Sequence, residues 1–300
     1  MFKIKNILGE QEKELVLIDS SSGTSARIQP SYGASLNELV IKNTKIITDL
    51  KPLDYKKTYP SSILFPFANR IKGGKYVFNG NNYSLDCNEN NADNALHGLV
   101  YDKPFVIDEL KAFENHAEVK LIYEVMHPID SYPFKFRIEL LYKLTKESLS
   151  LKMNVINLDD KKLPFTLGWH PYFKSYDLCQ SLIKFNSTKK IKCDKNNITT
   201  DTEEFSSKMP LSLNKKIFDD AFILEHPSIE FYTPEYDLVL TSSEKENFLQ
   251  LYTPMNTNAI AIEPMTGVSD SFNNKIGLKE LFPGKSYDIE WVIVVKIKTN

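Results

Sequence analysis

Apolar side chains recur at every second position over long stretches of this chain. From Phe134 they fall at Phe134, Phe136, Ile138, Leu140, Tyr142 and Leu144, with Lys135, Arg137, Glu139 and Lys143 between them. After Lys146-Glu147-Ser148 the pattern resumes at Leu149, Leu151, Met153 and Val155. A strand puts alternate residues on one face, so these runs predict a long antiparallel hairpin with one wet side. Val119, Leu121, Tyr123 and Val125 predict another strand, and Tyr287 through Ile297 a C-terminal one. Tyr76-Val77-Phe78 and Tyr83-Ser84-Leu85 flank Asn79-Gly80, a turn-forming pair. No segment of a dozen residues carries a clean helical stripe with caps. The expected fold class is all-β and mostly antiparallel, a large sandwich or barrel. Without an internal repeat or a linker rich in Pro, Gly or Ser, residues 1–300 are expected to form a single domain. The polar stretch Lys189 to Lys208 reads as an exposed excursion within it.

Composition narrows the function classes. The formal net charge is −2 with no basic block, which argues against a nucleic-acid partner. No run of about 18 apolar residues is present, so no membrane span is expected. The charged N-terminus lacks the apolar core of a signal peptide. Cys87, Cys179 and Cys193 form no CxxC pattern and suit a reducing compartment. The expected location is the cytoplasm.

The chain has no GxGxxG, P-loop, GxSxG or HExxH motif, and its five histidines show no metal-ligand spacing. What stands out is polar residues in apolar or glycine-rich surroundings. Glu263 lies at the end of a buried-strand pattern, Asn258 to Gly267, with the small Ala259 and Ala261 on its face. A carboxylate there is costly unless paired or used; the alternative is a strand-end glutamate reaching solvent. His170, in Leu163 to Phe173, suits a general acid near neutral pH, or is a satisfied core histidine. Arg70 follows the apolar Phe65-Pro-Phe-Ala-Asn69 in a chain with only three arginines. Its fork suits an anion, a pair of sugar hydroxyls, or a structural ion pair. His97, before Gly98, suggests a turn lining a cleft. Asp219 and Asp220 could equally be a turn of solvated acids.

Taken in order, these segments resemble the aldose 1-epimerase family, which includes galactose mutarotase. The likeness runs from Gly33-Ala34 to Pro283-Gly284. It rests on Asn69-Arg70, the nearby GGKYVFNGNNYSL, Leu96-His97-Gly98, His170-Pro-Tyr-Phe173, Asp219-x-x-Phe222, Ile262-Glu263-Pro264, Asp270-Ser-Phe-Asn273 and Gly277 to Gly284. The resemblance implies a β-supersandwich and no metal or other cofactor. It implies Glu263 as catalytic base and His170 as catalytic acid. Arg70, His97, Asp219 and Asn69 would bind the hydroxyls of a small-molecule aldose. Asp219 is preferred to Asp220 because the family's aromatic falls three residues after its aspartate. Trp169 or Tyr172 could stack on the sugar.

Such chemistry needs a base for the anomeric hydroxyl proton and an acid for the ring oxygen, on opposite sides of one C–O bond. A glycoside hydrolase would instead pair two carboxylates and leave the histidines without purpose. A non-catalytic sugar-binding module would not need Glu263 and His170 together. Within the family reading, a hexose 6-phosphate is the alternative to a free aldose. The stretch after His97-Gly98 carries no arginine for a phosphate, although Lys72 and Lys75 lie close to Arg70 in sequence.

Overall fold

A computed structural model describes residues 1–8, 13–19, 21–89 and 92–298. The strongly alternating segments form the middle of a nine-stranded antiparallel sheet. Phe136–Thr145 pairs with Ser148–Asn157, which pairs in turn with Ser286–Ile297. In this register Leu140, Met153 and Ile289 share one rung, and Tyr142, Leu151 and Trp291 the next. All six are buried, while the residues between them face solvent, so the period of two follows from one dry and one wet face. His116–Val125 and Val106–Ala112 extend the sheet on one side.

A second sheet, of thirteen strands, lies against the dry face. Its order runs through the five N-terminal strands, then Tyr172–Lys174, Ala259–Met265, Asn247–Tyr252, Asp219–Leu224, Lys189–Cys193 and Thr199–Glu204. The two sheets meet through the stacked indoles of Trp169 and Trp291, centroids 6.1 Å apart, and through the Tyr142 hydroxyl, which donates to Ala34 O at 2.9 Å. The fold is an all-β, mostly antiparallel supersandwich. Among the described residues the α-helices are two four-residue turns, Tyr55–Thr58 and Ser271–Asn274. No helix there is long and apolar enough to cross a membrane.

Two details add to the sequence-based expectation. The exposed stretch Lys189 to Lys208 contains a hairpin at the sheet edge, Lys189–Cys193 against Thr199–Glu204. Its charged side chains hid its strands because an edge strand buries little on either face. Ala259–Met265 is buried on both faces. Ile260 and Ile262 point into the inter-sheet core, and Ala259, Ala261 and Met265 point to the opposite side. Chain segments around Leu50 and Leu64 to Ala68 roof that opposite side.

The roof is held by close backbone approach. Phe65 and Gly98 form a bridge, and Leu99 N donates to Phe65 O at 2.7 Å. A Cβ on Gly98, whose φ is +79°, would sit 2.2 Å from Phe65 O. Gly80, at φ +77°, has nothing within 4 Å of its Cβ position. In urea denaturation, Gly80→Ala is expected to cost roughly 1–2 kcal/mol, the left-handed penalty alone. Gly98→Ala should cost about 3–5 kcal/mol, because backbone must also move.

Candidate active site

The roofed face of the thirteen-stranded sheet carries the polar residues in rungs. Tyr172, Ala261, Tyr252 and Asp219 lie side by side on four neighbouring strands. The next rung holds Glu263, Gln250 and Ala221. His170, two residues before Tyr172, brings its Nε2 to 3.3 Å from Glu263 Oε1. These side chains floor an open cleft of about 400 Å³. Its walls come from the roof: Lys56 to Tyr59, Asn69, Arg70, Asn88, Glu89 and His97.

All six residues singled out from the sequence line this cleft: Glu263, His170, Arg70, His97, Asp219 and Asn69. Asp219 faces it, whereas Asp220 points to the other side of its strand and pairs with Lys190 at 2.5 Å. Tyr172 is in the lining, its hydroxyl donating to Thr58 O at 2.8 Å. Trp169 is not, because alternation from His170 turns it into the inter-sheet core against Trp291. Lys72 and Lys75 also lie outside the lining, and the lysines at the cleft are Lys56 and Lys57.

The roof residues are held in fixed postures. Arg70–Lys72 pairs with Asn94–Leu96, and His97 N donates to Asn69 O at 2.8 Å. Asn69 and His97 both adopt left-handed backbone, φ 60° and 63°, a conformation uncommon for side-chain-bearing residues in which Asn and His are enriched. Asp270 braces the strand that bears Arg70: its N–H donates to Arg70 O at 2.6 Å, and its Oδ1 accepts from Lys72 N at 2.9 Å.

A directed hydrogen-bond chain crosses the cleft. Arg70 Nη1 donates to Asn69 Oδ1 at 3.0 Å, and Asn69 Nδ2 to Gln250 Oε1 at 3.3 Å. Gln250 Nε2 donates to Asp219 Oδ1 at 2.9 Å, and Asn197 Nδ2 to Asp219 Oδ2 at 3.1 Å. Arg70 also donates through Nε to Glu89 Oε1 at 2.8 Å, so it is an ion-pair partner as well as a cleft residue. Sequence reasoning missed Gln250 and Glu89. A glutamine inside the buried run Asn247–Tyr252 was a usable signal, whereas Glu89 sits in a polar stretch that offers none.

Burial sets the electrostatics. It lowers His170 to about 4. It also lowers His97 well below its ordinary value, aided by His170 and Arg70. Burial raises Glu263 well above the usual carboxylate range; the Asp219 charge adds to this and Arg70 opposes it. Asp219 is raised by burial, again against Arg70. Glu263 Oε2, His170 Nδ1 and His97 Nδ1 are buried with no hydrogen-bond partner among the described residues. Unpaired buried polar atoms are expensive, and these three leave hydrogen-bonding capacity inside the cleft that a polar ligand could use.

Comparison with known proteins follows the same lines. The Aldose 1-epimerase family model matches residues 14–293. Over 269 residues the chain is 26% identical to protein YihR of Escherichia coli strain K12, covering 86% of each. A galactose mutarotase-like protein from Clostridium acetobutylicum superposes with a TM-score of 0.88 at 20% identity, over 99% of both chains. Galactose 1-epimerase from Lactobacillus acidophilus NCFM gives 0.79 at 17% identity, over the whole of both chains. These two structures share the fold.

The burial of His170 is open to direct measurement. In an NMR titration its imidazole should remain neutral down to about pH 4, because burial disfavours the cation. A midpoint near the ordinary histidine value would mean that solvent reaches the ring.

Proposed function

This chain belongs to the aldose 1-epimerase family, and on that premise we propose that it interconverts the α and β anomers of a free aldose such as glucose or galactose. The observation that carries the reading is the buried His170–Glu263 contact at the floor of a polar cleft. Glu263 takes the proton of the anomeric hydroxyl as the C1–O5 bond breaks and the C1 carbonyl forms. His170 delivers a proton to O5. Rotation about C1–C2 presents the other carbonyl face, and reclosure returns both protons. Each group therefore serves as acid and as base, with no net proton exchanged with solvent.

The opposed effects of burial suit this task. Charge is disfavoured on both groups, so the pair holds one proton over a broad pH range, resting on Glu263; its transfer across the 3.3 Å contact to His170 gives the ionised base and cationic acid from which ring opening starts. Arg70 draws Glu263 back toward the ionised form that the first step requires. Arg70, Asn69, His97 and Asp219 hold the remaining hydroxyls, so that only the anomeric end moves. The exposed free cysteines Cys87, Cys179 and Cys193 suit the reducing cytoplasm as its location.

Lys56 and Lys57 at the cleft favour a second reading, in which the sugar carries a 6-phosphate. Against it, Arg70 is engaged by Glu89, and lysine alone gives a phosphate less geometric definition than arginine does. The free sugar is the better fit.

Polarimetry on fresh α-glucose and α-galactose tests the activity. Glu263→Gln should lower the rate about 10²–10⁴-fold with the fold intact, and His170→Asn similarly, since each removes one proton transfer. His116→Asn, outside the cleft, should stay near wild type. Near-normal turnover by folded Glu263→Gln would reject the assignment.

The pH–rate profile should be bell-shaped. Activity falls below about pH 4, where the pair gains a second proton. It falls again on the alkaline side, where the last proton leaves at a pH above the ordinary carboxylate range.

For substrate class, kcat/KM should be higher for glucose or galactose than for glucose 6-phosphate. A preference for the phosphate, weakened in Lys56→Ala or Lys57→Ala, would establish the second reading.

A further inference from the structure

Every nitrogen of the Arg70 guanidinium already has a partner within the chain. Its Nε and Nη2 lie 2.8 and 2.7 Å from Glu89 Oε1, and its Nη1 donates to Asn69 Oδ1. A guanidinium grips a carboxylate or phosphate through a pair of N–H groups along one edge. Here the edge formed by Nε and Nη2 is filled by Glu89. What is left for a ligand is a single N–H on each of Nη1 and Nη2. Glu89 is itself held in place. Its Oε2 accepts from Nδ2 of the buried Asn94 at 2.9 Å, on the strand that pairs with Arg70–Lys72. Asn88, one residue earlier, clasps Leu96, the residue opposite Arg70 in that pairing. Asn88 Oδ1 accepts from Leu96 N at 2.7 Å, and Asn88 Nδ2 donates to Leu96 O at 3.1 Å. The ion pair is largely buried, its side chains 15% and 17% exposed, so salt screens it weakly. Burial pushes the Asp219 carboxyl and the Tyr59 hydroxyl up, and the Glu89 charge adds to both, so its field reaches the floor and the wall of the cleft.

Resting on the mutarotase reading, we propose that Glu89 is the residue that selects uncharged aldoses, by occupying the anion-gripping edge of Arg70 and offsetting its charge. Lys56 and Lys57 also line the cleft and attract anions. Exclusion of an anion therefore has to be exerted at the arginine, where the strongest grip would otherwise form. An aldose bearing a carboxylate would compete with Glu89 for the same fork and meet its repulsion. A sugar hydroxyl accepts one of the remaining N–H groups and displaces nothing. Glu89 acts through Arg70 and is a positioning residue; no proton of the anomerisation passes through it.

Glucose and glucuronate are similar in size and differ in charge, so their ratio is the readout. Calorimetric titration gives Kd, and anomer exchange by NMR gives kcat/KM. The wild type should favour glucose by both measures. Glu89→Gln keeps the shape and removes the charge, and should move the Kd ratio at least about tenfold toward glucuronate, a modest share of the cost of setting like charges together. Glu89→Asp retains the charge and should keep the wild-type preference. Glu89→Ala vacates the arginine's edge, and added acetate should restore its preference for glucose by filling that edge. A purely structural role would weaken both sugars alike and leave the ratio where it was. Should Glu89→Gln fail to fold, the ratio in Glu89→Ala before acetate decides in its place. A wild-type preference for glucuronate, or a ratio that does not move when the charge is removed, would overturn the proposal. The two levels separate cleanly. A Kd ratio that moves as expected in a protein without anomer exchange sinks the mutarotase reading alone, and exchange with an unmoved ratio sinks the selectivity alone.

Discussion

Glu263 stands in a strand that is buried on both faces, so its carboxyl group can meet water only through the cleft that it floors. That placement constrains much around it. An uncompensated buried carboxylate is too costly to keep, and it must be neutralised by a proton or by a partner within reach. His170, in the link between the Gly168–Trp169 and Tyr172–Lys174 strands and similarly buried, is that partner. Neither residue can be removed without leaving the other stranded, which ties the pair to the sheet. The roof segments that exclude water are fixed by the same histidine: His170 N donates to Ser62 O, and Ser61 N donates to His170 O.

The hydrogen-bond chain across the cleft gains its order from its two ends. A guanidinium can only donate and an ionised carboxylate can only accept. Between Arg70 and Asp219, therefore, the amides of Asn69 and Gln250 have one consistent orientation, carbonyl toward the arginine and NH₂ toward the aspartate. Reversing either amide would set donor against donor or acceptor against acceptor. The cleft surface is thus pre-oriented with no ligand present, which would spare the ordering cost on binding.

The sheets were legible in sequence where one face is dry and the other wet, as from Phe134 to Val155, because only there does burial imprint a period of two. The Lys189–Cys193 and Thr199–Glu204 strands were not, since an edge hairpin exposes most of its side chains. Glu263 and His170 could be singled out because charge inside apolar runs needs a reason. Gln250 carried the same signal and was overlooked. Glu89 carried none, since its importance comes from meeting Arg70 nineteen residues away. Trp169 is the reverse case. An aromatic beside a site histidine looked available for stacking, yet neighbours in a strand point to opposite faces, and the tryptophan belongs to the core.

The same edge hairpin has a role in the solution behaviour of the whole molecule. It is the last element of the thirteen-stranded sheet, and its outer strand carries Asp201, Glu203 and Glu204 along the rim. An open edge is a template on which a second chain can add a strand. Glu204 is paired across the hairpin with Lys189, which leaves Asp201 and Glu203 as the rim charges that oppose such an approach by another copy.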